Sequence, residues 1–115
     1  MTVLIVEDNQ AMREAIAGTI GRDNNTFIEL NDGLDALKYY EIYHPDLVIM
    51  DIKMKKLNGL IAAKNITGSF PDAKIIILTG FNSKTYRHEA EKAGASAYLL
   101  KKDLYELKNI VKNKC

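Results

Sequence analysis

The chain has 115 residues, enough for one domain that buries roughly two-thirds of the surface its unfolded form exposes. Its 47% hydrophobic and 27% charged side chains exclude a disordered polymer, and a net charge of +1 excludes recruitment of nucleic acid or membrane by bulk charge. A single cysteine, Cys115, excludes an internal disulfide framework and a cysteine-based zinc site. With no membrane-length apolar run and no basic leader at Met1-Thr2-Val3-Leu4, the expectation is a cytoplasmic domain.

The first apolar run, Val3-Leu4-Ile5-Val6, is continuous and β-branched, as a strand buried on both faces must be. A helical pattern follows over residues 11–20, with Met12, Ala15, Ile16, Thr19 and Ile20 at spacings of three and four. Phe27-Ile28-Glu29-Leu30 is a second strand, and its Glu29 suits a place nearer the sheet edge. After the turn Asn31-Asp32-Gly33, a repeat every three residues (Leu34, Leu37, Tyr40, Tyr43) predicts a second helix. Leu47-Val48-Ile49-Met50 is a third strand, and Leu60, Ala63, Ile66 and Thr67 after Asn58-Gly59 mark a third helix. Ile75-Ile76-Ile77-Leu78 is the fourth strand, followed by a helix carrying Tyr86, Ala90 and Ala93 that stops at Gly94. Ala97-Tyr98-Leu99-Leu100 is the fifth strand. Leu104, Leu107, Ile110 and Val111 then line a last helix whose opposite face holds Lys108, Lys112 and Lys114. Five β-α units specify an α/β fold: a doubly wound, mostly parallel sheet with helices on both faces.

Such sheets bind ligands at the carboxyl ends of their strands. There the sequence places Glu7-Asp8 (strand 1), Asp51 (strand 3), Thr79-Gly80 (strand 4) and Lys101 (strand 5). Each has a plain structural explanation when taken singly. Asp8 and Thr79 can cap the helices that follow them, Asp51 can end its strand, and Lys101 can be one solvated lysine among many. Together they carry more weight, because three carboxylates crowded at adjacent strand ends are unfavourable without a cation. A hard divalent ion with a nearby ammonium is the natural compensation. Mg²⁺ suits it better than Ca²⁺, since so few carboxylates leave positions open for water and phosphate. The first fifty residues hold three basic and nine acidic side chains, and the remainder thirteen and six. No linker separates the two parts, so this split is not read as two lobes.

Nothing resembles a thiol or Ser-His nucleophile, since His44 and His88 lie far from every strand end, and no GxxxxGK[ST] or GxGxxG loop is present. Carboxylate, Mg²⁺, hydroxyl and lysine are the parts for phosphoryl transfer to an Asp side chain.

The stretches VLIVEDN, PDLVIMDIKMKKLNG, IIILTG and KAGASAYLLKK occur in this order and spacing. By them the chain resembles, over essentially its whole length, a response-regulator receiver domain of two-component signalling. Within that superfamily AYLLKK-Asp103, DIKMKKLNGL and LTGF are closest to the NarL/FixJ-like (LuxR-type) subgroup. The resemblance implies a flavodoxin-like sheet of order 2-1-3-4-5 with five helices, and one receiver domain over residues 1–115. It implies that Asp51 is the phosphoacceptor, with Mg²⁺ held by Glu7, Asp8, Asp51 and the Lys53 backbone carbonyl. Thr79 and Lys101 would bind the phosphoryl group, and Tyr98 would be the switch aromatic, its alternative being a half-buried strand tyrosine. Lys53 and Phe81 would flank the path of hydrolytic water and tune the lifetime of the phosphate; the alternative for Phe81 is a ring packed outward on its loop.

The implied protein is a signalling phosphoacceptor that catalyses only its own phosphorylation and dephosphorylation. Its donor is a sensor histidine kinase or phosphotransfer protein, and its output runs through the helix 4–strand 5–helix 5 face, with homodimerisation on phosphorylation. That output is transcription if a DNA-binding domain follows in the full-length protein. The chain ends at Cys115 without such an element, and no direct nucleic-acid or membrane binding is expected of it. Two positions depart from the family: Lys55 stands where proline is usual four residues after the phosphoacceptor, and Lys102 where proline usually follows the lysine. The Lys101–Lys102 peptide is therefore either trans or a strained cis bond. These departures motivate an alternative reading, a receiver-like interaction module that signals without phosphorylation. An aspartyl-phosphate phosphatase is disfavoured, because its second Asp would fall at Lys53.

Overall fold

Consecutive residues of a strand point to opposite faces, so a run of apolar residues is stable only where both faces are covered. The computed structural model describes residues 1–114; Cys115 and the side chain of Lys114 lie outside the described residues. Five strands form one parallel sheet: β1 (Thr2–Val6), β2 (Thr26–Leu30), β3 (Leu47–Met50), β4 (Ile75–Thr79) and β5 (Ala97–Leu100), in the order β2-β1-β3-β4-β5. Five helices alternate with them: α1 (Gln10–Ile20), α2 (Ala36–Tyr43), α3 (Gly59–Ser69), α4 (Lys84–Lys92) and α5 (Leu107–Lys114). This is the flavodoxin-like arrangement that the family resemblance implied. The acidic and basic parts of the chain interleave in one sheet, and among the described residues no helix is long and apolar enough to cross a membrane.

The sheet divides the core in two. Leu4, Val6, Val48, Met50, Ile75 and Ile77 face Ala36 and Tyr40 of α2, Ala62, Ala63 and Ile66 of α3, and Ala90 of α4. The alternate residues Val3, Ile5, Leu47, Ile49, Ile76 and Leu78 face Ile16 and Ala17 of α1 and Leu107 and Val111 of α5. Each large aliphatic side chain withdrawn this way contributes about 1.5–3 kcal/mol. β2 holds the sheet edge and has no fully buried residue. Its exposed Glu29 pairs with Arg13 of α1 at 3.1 Å, a charged edge that discourages further strand pairing.

Helix boundaries follow local chemistry. Asn9, Asn58 and Ser83 cap α1, α3 and α4 by accepting backbone N–H groups of Met12, Leu60 and Tyr86. α4 ends as the sequence signalled. Gly94 takes φ +87°, its N–H bonds to Glu91 O, and the Ala95 N–H bonds to Ala90 O, the paired closure that a left-handed glycine permits. Two expectations need correction. The second helix does not start at Leu34: Gly33–Asp35 is a 3₁₀ turn, and Leu34 and Tyr43 are 55% and 52% exposed. Residues nine apart lie about half a turn apart at 3.6 residues per turn, so a strict three-residue repeat cannot keep one face buried. Leu104 likewise precedes the last helix, in a 3₁₀ segment Lys101–Glu106 interrupted at Asp103. Lys108 and Lys112 are exposed as expected. No peptide bond is cis among the described residues, so Lys101–Lys102 is trans.

Candidate functional site

Parallel strands deliver their carboxyl ends to one rim, and the structure brings Glu7, Asp8, Asp51 and Lys101 together there. A carboxylate oxygen from each of Glu7, Asp8 and Asp51 lies within 4.8 Å of the others. Glu7 is 2% exposed and Asp51 6%, while Asp8 is open to solvent. The Lys101 ammonium, from the end of β5, reaches across the end of β4 to within 3.0 Å of Asp51 Oδ2 and 2.7 Å of Glu7 Oε1. Thr79 is fully buried at the end of β4, the strand between those of Asp51 and Lys101, and its Oγ1 accepts the Phe81 N–H at 3.3 Å. Neither capping explanation holds: Asn9, not Asp8, caps α1, and Ser83, not Thr79, caps α4.

Contacts that the sequence did not announce hold this rim in place. Ile52 N–H donates to Asp51 Oδ1 at 2.8 Å, and Asn9 N–H donates to Glu7 Oε2 at 3.0 Å. Arg13 donates through Nη1 to the Glu7 carbonyl at 2.8 Å, tying α1 to the peptide between the two acidic residues. Only the placement of Arg13 early in the helix after Glu7-Asp8 hinted at this. The buried Glu7 Oε1 faces the Lys101 ammonium at 2.7 Å, so a single ammonium serves both Glu7 and Asp51 in a cluster of three carboxylates. This oxygen donor set fits a hard divalent cation.

Burial raises the Glu7 carboxyl above its ordinary value of 4.5. The Asp8 carboxyl and the Asp51 charge push it the same way, against Lys101 and the Asn9 N–H. Lys101 is raised above 10.5, because its contacts with Glu7 and Asp51 outweigh the opposing effect of burial. A carboxyl raised on folding contributes stability that is complete below its unfolded pKa and is lost as pH rises through the folded value. In EDTA, the melting temperature of the parent relative to Glu7→Gln should therefore fall as pH rises above 4.5. Mg²⁺ should reverse that fall at neutral pH. Parallel melting curves for the two proteins across pH 4.5 to 7.5 would contradict the assignment.

Around the rim, the Lys53 ammonium lies 5.4 Å from the centre of the Phe81 ring, linking the loop after β3 to the loop after β4. Phe81 is 43% exposed and packs edge-on against Tyr86 at 5.8 Å. Tyr98 is half-buried; its hydroxyl donates to the Phe81 carbonyl at 2.6 Å and the Arg87 guanidinium lies 4.5 Å from its ring. Burial raises the Tyr98 phenol above 10.0, with Arg87 opposing. The hydroxyl is thus anchored on the loop two residues beyond Thr79.

The family model described as the response regulator receiver domain matches residues 3–112. The transcriptional regulatory protein DegU of Brevibacillus brevis is 33% identical over 86% of this chain and 43% of its own length. The oxygen regulatory protein NreC of Staphylococcus epidermidis is 34% identical over 88% and 48%. A crystal structure of a LuxR-family DNA-binding response regulator from Staphylococcus aureus superposes with a TM-score of 0.87 at 30% identity, covering 98% of this chain and 97% of that one. The chain spans about half the length of the curated relatives it matches.

Proposed function

The chain belongs to the response regulator receiver domain family, of the LuxR/NarL type, and from that premise we propose that it takes a phosphoryl group onto Asp51 from a phosphohistidine partner. The observation that carries the reading is the ammonium of Lys101 on a nearly buried Asp51, inside a three-carboxylate cluster. A carboxylate oxygen of Asp51 forms a bond to phosphorus as the donor's P–N bond breaks, and the imidazole leaves. Glu7, Asp8, Asp51 and the Lys53 backbone carbonyl would hold Mg²⁺. When bound, it supplies charge neutralisation to the transferring group. Lys101 is placed to exchange its contact with the carboxylate for one with the phosphoryl oxygens. The Thr79 hydroxyl, at the end of the strand between those of Asp51 and Lys101, would donate to the same group. The donor is a sensor histidine kinase or phosphotransfer protein.

The output face is that of α4, β5 and α5. Tyr98 on β5 bonds the Phe81 carbonyl, so a shift of Thr79 toward a phosphoryl group moves the loop that Tyr98 grips. This couples Asp51 to a surface able to control a partner, a homodimer or an attached transcription module. Incubation with Mg²⁺ and acetyl phosphate should add the mass of one phosphate, and EDTA should prevent it. Failure to take phosphate from any donor would replace this reading with a module that signals without phosphorylation.

The same geometry bears on lifetime. The Phe81 ring lies against the Lys53 ammonium and packs edge-on on Tyr86, and on this reading the pair flanks the path of hydrolytic water between the two loops. Excluding water from a covered acyl phosphate slows its hydrolysis. The phosphorylated protein should lose phosphate over hours, and Phe81→Ala should shorten that time. Loss within seconds in the parent, or an unchanged rate in the variant, would contradict the role given to Phe81 and Lys53.

A further inference from the structure

Residues 53–58 leave the site after Ile52 and enter α3 at Gly59. The base of this loop is closed by the Gly59 N–H on Ile52 O at 2.8 Å. Its outer part has neither strand nor helix to satisfy it. There, Lys56 N–H donates to Asp32 Oδ2 at 2.7 Å and Leu57 N–H to Asp32 Oδ1 at 3.0 Å. The same Oδ1 accepts Leu34 N–H at 3.0 Å, so one carboxylate joins the loop after β2 to the loop after β3. Gly33, next in sequence, packs so closely that a Cβ there would stand 2.9 Å from the Leu57 carbonyl oxygen. All three donors are backbone groups, so the carboxylate constrains the path of the chain whatever side chains the loop carries.

We propose that Asp32 is a positioning residue for the metal side of the site: by pinning Lys56 and Leu57 it holds the loop in the shape that presents the Lys53 backbone carbonyl. The inference rests on the reading that this carbonyl is a ligand. Lys55 stands in the loop without the fixed φ of a proline, and Asp32 supplies a constraint on its outer part from the loop after β2. Asp32 is not itself one of the ligands. It is separate from the Glu7, Asp8 and Asp51 cluster, and with Asp8, Asn31, Lys55 and Lys56 it lines an adjoining cavity of about 230 Å³. Its carboxyl lies below the ordinary 3.8, the loop N–H groups and Lys56 outweighing the upward push of burial, so all three hydrogen bonds are charge-assisted at neutral pH. Groups that orient metal ligands typically affect affinity 10–100-fold, and one ligand of several is at stake here.

The test uses Mg²⁺ titration by calorimetry and amide hydrogen exchange in EDTA, on the parent, Asp32→Ala and Asp32→Asn. Asp32→Ala should weaken Mg²⁺ binding by about tenfold and speed exchange at Lys56 and Leu57. Asp32→Asn keeps an acceptor for Leu34 and Leu57 but sets an amide against Lys56 N–H, so it should fall between the two. Thr67→Val removes a hydrogen bond to Ala93 on another part of the fold and serves as the control for general loosening. Unchanged affinity in Asp32→Ala, or equal weakening in Thr67→Val, overturns the proposal. If the parent itself binds no Mg²⁺, the reading of the site fails instead. The exchange rates at Lys56 and Leu57 then still decide whether Asp32 pins the loop.

Discussion

Asp51→Asn should take up no phosphate from acetyl phosphate and Mg²⁺, while folding like the parent. In the parent one carboxylate oxygen accepts Ile52 N–H at 2.8 Å and the other faces the Lys101 ammonium at 3.0 Å. The asparagine keeps an oxygen for Ile52, so the end of β3 remains satisfied. Its amide nitrogen is no nucleophile, and it places a donor against the lysine. Glu7 is nearly buried and holds Asn9 N–H, which leaves Asp8 as the only open carboxylate of the cluster. An adduct on the variant at the parent's rate would move the phosphoacceptor to Asp8. Lys101→Ala keeps the Asp51 carboxylate but removes the ammonium 3.0 Å from it, and on the proposed reading should slow uptake by about 10²–10³-fold. Intact-mass kinetics on the three proteins separate these roles, with melting temperatures as the check on folding.

Gly59→Ala should be the most destabilising small change in the molecule. A Cβ at that position would stand 1.7 Å from the Asp51 carbonyl oxygen, 2.7 Å from its carbon and 3.0 Å from Met50 Cγ. Neither side can yield cheaply. Gly59 N–H is bonded to Ile52 O, and Asp51 N–H to Val6 O at 3.0 Å, so relief means pulling α3 off the sheet or breaking the β1–β3 ladder. Overpacking a well-packed core costs about 1–3 kcal/mol, and a clash against backbone belongs at or above the top of that range. For a domain of this size that is on the order of a 10 °C drop in melting temperature. Because the strained atom is the carbonyl of Asp51, the proposed phosphoacceptor, phosphate uptake should fall as well. A variant that melts within a degree or two of the parent would show that α3 adjusts freely.

The central strands β1, β3 and β4 were legible because both of their faces are buried, which leaves uninterrupted apolar runs such as Val3-Leu4-Ile5-Val6 and Ile75-Ile76-Ile77-Leu78. Parallelism puts every strand end on one rim, and the order that the resemblance implied brings β1, β3, β4 and β5 side by side, so that Glu7, Asp8, Asp51 and Lys101 converge. The face of α2 was misjudged, because Leu34 and Tyr43 are apolar yet exposed while the small Ala36 is buried. Asp32 was readable only as part of a turn. Its bonds go to backbone groups 24 and 25 residues away, and backbone donors leave no trace in the identity of the residues that carry them. Arg13 and the Tyr98 hydroxyl were hidden in the same way, each bonding a main-chain carbonyl.

The strand order also dictates when the rim can exist. β1 pairs with β2 and with β3, so it is an interior strand whose second partner begins only at Leu47. No hairpin can shelter it meanwhile, because every strand pair in the sheet is parallel and spans at least one helix. Glu7 and Asp8 sit at the end of that strand, so the acidic cluster cannot assemble in a nascent chain that has not yet threaded β3 beside β1. Long-range parallel pairing of this kind makes folding slow relative to helical domains of equal length. The amide protons of Ile5 and Ile49 should accordingly exchange only through global unfolding.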